Sequence, residues 1–364
     1  MSWRYHNPVE VRFGAGVLKD LPLVVAGRRA VLVTFPEAAG LTLTHRVGTL
    51  LGASLAGIID DTQPNPDVST LTGLYERFWR EHADAEVVVA IGGGSTLDTA
   101  KALMIGTASG RLDELVALLA KGQAFTPARV KRLVAIPTTA GTGSEVTPYA
   151  TIWDAAPGRQ KKYSLQLRET WAEHALVDPE LTLSLPAKVT LHSALDALSH
   201  CLEAIWNVNA NPVSDTLAVA AAREVLHALP LLMRDLGSIE LRSRIAWAAL
   251  TAGFAFSNTK TALAHSISYE MTLKHGLPHG LACSFTLPMV LGRAIGRDAA
   301  RDQVLSRIFD GPLERAQATL HAFLEDLGIS TRFESYGVTA SDAERMVRDA
   351  MEGVRGRNFI GATA

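Results

Sequence analysis

The stretch Val87-Val88-Val89-Ala90-Ile91-Gly92-Gly93-Gly94-Ser95-Thr96-Leu97-Asp98-Thr99-Ala100-Lys101 constrains the fold more than any other. Its unbroken apolar start reads as a strand buried on both faces, which is the habit of parallel sheets covered by helices. Three glycines follow, and they let the backbone approach a ligand closely and take positive φ. Ser95 is a good N-cap, and Asp98 three residues on completes a capping-box-like pair, so a helix is expected to begin there. A helix start offers free N–H groups and the positive end of a dipole. Gly92, Gly93, Gly94, Ser95 and Asp98 are therefore candidates for a pyrophosphate site. A tight turn without ligand would use the same glycines, and the GxGxxG fingerprint is absent.

The rest of the first half repeats this grammar. Arg29 to Phe35, Leu55 to Ile59, Leu133 to Ile136 and Ala175 to Val177 read as further strands. Asp67 to His82 and Thr96 to Thr107 carry helical spacing between them. Strand–helix alternation implies an α/β domain with a parallel sheet and helices on both faces. After Pro186 the strand signals fade, and apolar residues recur at three and four, as in Leu195, Leu198, Leu202 and Ile205. Helices are expected at 212–233, 238–256, 261–271, 299–309, 313–327 and 340–353. The expected organisation is an α/β nucleotide-binding domain over 1–182 and an all-α domain over 183–364.

A chain of 364 residues fits about two domains. The formal charge of −2 creates no global field for nucleic acid or an anionic membrane, so any anionic substrate must meet a local cluster. Cys201 and Cys283 form no CxxC motif and read as reduced thiols. The first residues, Met1-Ser2-Trp3-Arg4-Tyr5-His6, carry no apolar leader, and no charge-free run of about 18 apolar residues occurs. A cytoplasmic protein is expected, partnered by small molecules and by a second copy of itself in a homo-oligomer, a dimer.

Two further constellations carry chemistry. Thr138, Thr139, Thr142 and Ser144 lie in a small, hydroxyl-rich loop, Ile136-Pro137-Thr138-Thr139-Ala140-Gly141-Thr142-Gly143-Ser144-Glu145, after a strand. Hydroxyls and bare backbone there suit phosphate and ribose, and two such loops after parallel strands fit a nucleotide crevice. Asp196 and His200 stand four apart on one helix face, His265 lies on a later helix and His279 follows in Pro278-His279-Gly280. Three histidines and a carboxylate suit a divalent first-row metal such as iron(II) or zinc. A single histidine is more often structural, and spacing alone does not separate these from His192 and His275.

At this point the sequence resembles the iron-containing (group III) alcohol dehydrogenase family. The matching blocks are GGGSTLDTAK at 92–101, PTTAGTGSE at 137–145, DALSHCLEA at 196–204 and AHSISYEMTLKHGLPHG at 264–280, with Asn65 where the family keeps an Asn-Pro. The resemblance implies the dehydroquinate synthase-like fold, a metal held by Asp196, His200, His265 and His279, and reversible hydride transfer between an alcohol or aldehyde and NAD or NADP. It sets Asn65 and Lys162 near the cofactor.

Two departures matter. Many members carry a histidine four residues after the third ligand, where this chain has Tyr269; Tyr269, or His275 across the turn, is a candidate in the proton relay, and packing is the commoner role for such residues. Many place an acidic residue after the first strand to bind the adenosine ribose, where this chain has Phe35. Without that carboxylate the 2′-phosphate of NADPH meets no like charge. The run Arg159-Gln160-Lys161-Lys162-Tyr163-Ser164, with Cys283 and Ser284, looks like members that reduce phosphonoacetaldehyde to 2-hydroxyethylphosphonate. A dianionic head group needs two or more cations, and Lys161, Lys162, Arg168, Arg355 and Arg357 are the candidates. The alternatives are a general short-chain alcohol dehydrogenase of the family, a metal- and NAD-dependent lyase or cyclase resembling 3-dehydroquinate synthase, and a non-catalytic nucleotide-binding module.

Overall fold

The computed structural model describes residues 2–156, 158 and 161–362. Its contacts divide the chain into two units, one of residues 8–139 and 144–182, the other of residues up to 7, 140–143 and from 183 onward.

The first unit is built on a six-stranded parallel sheet. In chain order its strands are β1 (Glu10–Phe13), β2 (Ala30–Val33), β3 (Leu55–Ile59), β4 (Val87–Gly92), β5 (Arg132–Pro137) and β8 (His174–Val177), with a separate antiparallel hairpin of β6 (Tyr149–Asp154) and β7 (Lys161–Gln166) between the last two. The order across the sheet is β1-β8-β5-β4-β2-β3. Strand β4 is central and buried along its whole length. Its alternate residues serve two separate cores: Val88 and Ala90 join one, Val87, Val89 and Ile91 the other. A two-residue period thus feeds helices on both faces, which is why the strand reads as a continuous apolar run.

Four helices of this unit are α1 (Leu43–Leu51), α2 (Val68–Glu81), α3 (Gly94–Met104) and α4 (Leu112–Ala120). In α2 the buried Leu71, Leu74, Tyr75, Phe78 and Trp79 follow helical spacing, and the Asp67 side chain caps the start by accepting from the Ser69 N–H at 2.9 Å. Arg159 and Gln160 of the basic run lie outside the described residues.

The second unit is helical. Its main members are α5 (Ala187–Ile205), α6 (Pro212–Leu232), α7 (Ile239–Thr259), α8 (Leu263–His275) and the short α9 (His279–Ser284), followed by Leu287–Ala294, Ala299–Leu305, Ala316–Asp326 and Ala340–Glu352. The segment 140–143 packs with this unit and explains its own glycines. A Cβ on Gly141 would stand 2.2 Å from the Ser193 carbonyl oxygen of α5. Close helix approach therefore requires at least that glycine, whatever ligand the loop also meets. No helix among the described residues is long and apolar enough to cross a membrane.

Candidate metal and nucleotide sites

Helix α5 places Asp196 and His200 on one face, with side chains almost fully buried. His265 enters from the first turn of α8, and His279 begins α9. Asp196 Oδ1 lies 3.4 Å from His265 Nε2, 3.8 Å from His279 Nε2 and 3.9 Å from His200 Nε2. Bonds of about 2.0–2.3 Å in a tetrahedral site put ligand atoms roughly 3.3–3.8 Å apart, so these separations suit a shared divalent ion. Asp196 Oδ1 and His265 Nε2 also lack any hydrogen-bond partner, on residues only 2% exposed. Orphaned buried polar atoms are costly. Two of them converging with two further imidazoles fit a cation. The chain brings all four sequence candidates together.

The electrostatics agree. Burial works to raise the Asp196 carboxyl, but the imidazoles of His200, His265 and His279 outweigh it and hold it well below the usual carboxylate range. Burial pushes His200 down to about 4, against the pull of Asp196, so its ring is neutral and able to ligate. For His265 burial is outweighed by Cys283, Glu203 and Asp196, which raise its pKa well above an ordinary imidazole. That surrounding favours positive charge at the ring, which a bound cation would supply.

Glu203 was not singled out from the sequence. It is fully buried, and it accepts from His265 Nδ1 at 2.7 Å and from the backbone N–H groups of Ala262 and His265 at 2.9 and 3.2 Å. A carboxylate on Nδ1 fixes the ring with Nε2 turned inward, the usual support for a ligating histidine. Its sequence signal was available: Asp196, His200 and Glu203 are spaced four and three on one helix face. His192 and His275, the alternatives, do not enter the cluster. His192 sits one turn before Asp196, and its backbone carbonyl lies so close to Gly280 that a Cβ there would stand 1.9 Å away. His275 ends α8, and its described electrostatic neighbour is Asp342.

The glycine turn departs from expectation in two ways. Gly92, Gly93 and Gly94 are not among the residues with positive φ. Gly92 is required by contact instead, since a Cβ would meet the Thr96 side chain at 2.5 Å. Ser95 is not the N-cap and forms no capping box with Asp98. The cap is Gly93, and Ser95 lies within the first turn of α3, where its Oγ accepts from the Asn65 N–H at 3.0 Å. Asn65 holds φ at 53°, a left-handed conformation that asparagine tolerates. The Asp98 carboxylate accepts from Ser144 Oγ at 3.0 Å and the Thr151 N–H at 2.9 Å.

Asp98 and Ser144 thus belong to a cluster that binds the two loops together around Lys101, a residue not picked from the sequence. The Lys101 ammonium is fully buried and donates to Ser144 O and Oγ, Thr147 O and Tyr149 O at 2.6–2.8 Å. Burial pulls it down to about 8 against the opposing pull of Asp98 and Glu145, and burial lifts Glu145 to about 7. Thr138 is buried, and its N–H donates to the Gly92 carbonyl at 2.9 Å. Thr139 and Thr142 remain partly exposed. Phe35 is half-buried where β2 ends, ahead of the short turn Pro36–Ala38.

The candidate substrate cations are spread over separate elements of the chain. Lys161 is exposed over the Tyr163 ring at 5.0 Å, and Lys162 lies over the Trp153 ring at 4.9 Å. Arg168 is exposed. Arg357 is exposed, donates to the Glu352 carbonyl at 3.1 Å and lines a surface cavity with Arg293, Glu344 and Arg348, and none of its described contacts is with the quartet. Arg355 is the late cation tied to the metal side. Its guanidinium lies 5.2 Å over the Tyr269 ring and donates to Thr261 Oγ1 at 2.6 Å. Burial raises the Tyr269 phenol, opposed by Arg355, so it stays protonated at neutral pH.

Residues 8–179 match the model of the iron-containing alcohol dehydrogenases, and residues 190–363 match the C-terminal domain of the same family. The chain belongs to the iron-containing alcohol dehydrogenase family. It is accordingly an oxidoreductase of the alcohol dehydrogenase kind. An NAD-dependent methanol dehydrogenase from Bacillus methanolicus is 32% identical over 356 residues, covering 94% of this chain and 91% of that protein. The crystal structure of a sulfoacetaldehyde reductase from Bifidobacterium kashiwanohense in complex with NAD+ is 29% identical with a TM-score of 0.89, covering 99% of this chain and 94% of that one. An iron-containing alcohol dehydrogenase from Thermotoga maritima is 27% identical with a TM-score of 0.81, covering 98% and 95%.

Proposed function

We propose that this iron-containing alcohol dehydrogenase is a metal-dependent, NAD(P)-linked reductase of small aldehydes with a strong anionic head group, phosphonoacetaldehyde first and sulfoacetaldehyde behind it. The observation that carries the substrate class is the likeness, over nearly the whole chain, to a sulfoacetaldehyde reductase. Bound at these sites, a divalent ion, iron(II) first and zinc second, would polarise the aldehyde oxygen and a nicotinamide would supply the hydride. Asp196, His200, His265 and His279 are the proposed metal ligands, and Glu203 orients His265. Gly92–Ser95 with Asn65, Thr138, Thr139 and Thr142 are the proposed pyrophosphate and ribose contacts. Asp98 and Ser144 act there indirectly, by fixing the two loops through Lys101. Lys162 is the proposed partner of the anionic head, Arg355 is a separate candidate for it beside Tyr269, and Tyr269 is a candidate to hand a proton to the developing alkoxide. Lys161 and Arg357, both exposed, are weaker partners for it.

The test is oxidation of NAD(P)H across an aldehyde panel with anionic and neutral members of equal size. Anionic aldehydes should give the higher kcat/KM. Losing one charge-assisted contact costs about 1.5–3 kcal/mol, or roughly ten- to a hundredfold. Lys162→Ala should therefore raise KM for the anionic aldehyde and change the neutral one much less. Equal losses on both would assign Lys162 to the cofactor. Equal efficiency of the wild type on both classes would remove the anionic reading and leave a general alcohol dehydrogenase. A lyase or cyclase would show no net turnover of NAD(P)H.

Both NADH and NADPH are expected to support reduction, within about an order of magnitude in kcat/KM, or roughly 1.4 kcal/mol. The reason is Phe35 in place of a carboxylate at the end of β2. Phe35→Asp should move the ratio toward NADH. A thousandfold NADH preference in the wild type would point to another group in that turn, with exposed Glu37 the first to test.

A further inference from the structure

We propose that Cys283 is a fifth donor of the metal centre, its thiolate binding the ion shared by Asp196, His265 and His279. This rests on the metal reading above and adds a sulfur donor to it. Helix α9 carries His279 and Cys283 four residues apart, hence on one face. Cys283 Sγ lies 3.6 Å from His279 Nε2 and 3.7 Å from Nδ1. One ligand atom each from Asp196, His265, His279 and Cys283 all lie within 4.8 Å of one another, a set that leaves His200 out. Two residues of the set, Asp196 and His265, also carry the buried orphans, Oδ1 and Nε2. The thiol is fully buried and forms no disulfide, and its own backbone is fixed where the Cys283 carbonyl accepts from Ser199 Oγ at 3.2 Å. Cys201, the other thiol, is equally buried on α5 but does not enter the set.

Binding breaks the Sγ–H bond, forms an Sγ–metal bond and releases the proton to solvent, with no change of oxidation state. Thiolate and carboxylate together match the charge of a divalent ion. A soft sulfur among oxygen and nitrogen donors favours zinc or cobalt(II) over magnesium or manganese(II).

The experiment is reconstitution of metal-free protein with an equivalent of cobalt(II), read by absorption. The wild type should show a near-ultraviolet thiolate-to-cobalt charge-transfer band together with visible d–d bands. Cys201→Ser should keep the band, which assigns it to Cys283 even if the second variant folds poorly. Cys283→Ser should lose the charge-transfer band and keep the d–d bands. Wild-type d–d bands without the near-ultraviolet band would overturn the proposal and leave the histidine–aspartate centre standing. Loss of the band in Cys201→Ser would also overturn it. Absence of both bands would overturn the metal reading and this inference together.

Discussion

His265→Ala should lower kcat/KM for aldehyde reduction by about a thousandfold or more, because Lewis-acid stabilisation worth several kcal/mol is lost and each 1.36 kcal/mol is a factor of ten. His265 is the donor closest to Asp196, and its ring is hydrogen-bonded to Glu203. Removing its ring deletes a ligand and also leaves the Glu203 carboxylate buried without its main partner. His279→Ala should act in the same direction, with less effect on stability because that side chain is about one third exposed. Glu203→Gln should do less, about ten- to a hundredfold in metal affinity or activity, since it orients a ligand and touches no substrate. The checks are kcat/KM, metal bound per chain and circular dichroism on each variant. A folded His265→Ala protein with full metal and near-normal turnover would remove the quartet from the mechanism.

Lys101→Met should destabilise the α/β unit by about 3–5 kcal/mol, the usual cost of stranding buried charge. The methionine fills similar space, so the loss is electrostatic and not a cavity. Three backbone carbonyls and a hydroxyl lose their donor, and Asp98 and Glu145 lose the ammonium that opposes their burial. Because the same cluster joins the glycine turn to the hydroxyl loop, cofactor KM should rise in any protein that stays folded. Urea unfolding followed by far-ultraviolet circular dichroism checks the stability. A loss below about 1 kcal/mol, the net worth of a single ordinary hydrogen bond, would contradict the role assigned to Lys101.

Much of the α/β unit was readable because its core strands are buried on both faces and so carry unbroken apolar runs. Ala30–Val33 and Val87–Gly92 are of this kind. Strand β1 was missed because Glu-Val-Arg-Phe sits at the sheet edge with its ends exposed. The hairpin β6–β7 was missed because Lys161–Gln166 alternates polar and apolar residues outside the main sheet, and its basic start reads as a solvated loop. Helices α1 and α4 are short and lack strong caps.

At the site, residue type and helical spacing pointed to the quartet, and the resemblance selected it over His192 and His275. What the chain hid was support. A lysine inside a helix reads as solvent-facing, so Lys101 gave no warning of its burial. Glu203 showed only in its spacing with Asp196 and His200, which by itself does not tell a supporting carboxylate from a solvated one. Cys283 gives no spacing signal except the interval of four from His279. The capping-box reading of Ser95 and Asp98 failed because the helix begins at Gly94, which turns Asp98 toward Ser144 and β6. Arg357 and Arg355 are indistinguishable in sequence, and their contacts separate them: Arg355 packs on Tyr269 and donates to Thr261, while Arg357 is exposed and donates to the Glu352 carbonyl.

The most direct test of the central claim is metal removal and return. Protein stripped with a chelator should fail to oxidise NAD(P)H in the presence of aldehyde while keeping its circular dichroism. Added iron(II), under anaerobic conditions, or zinc should restore turnover in proportion to the metal bound, up to a plateau at a single ion per chain. Full turnover by metal-free protein would contradict the account.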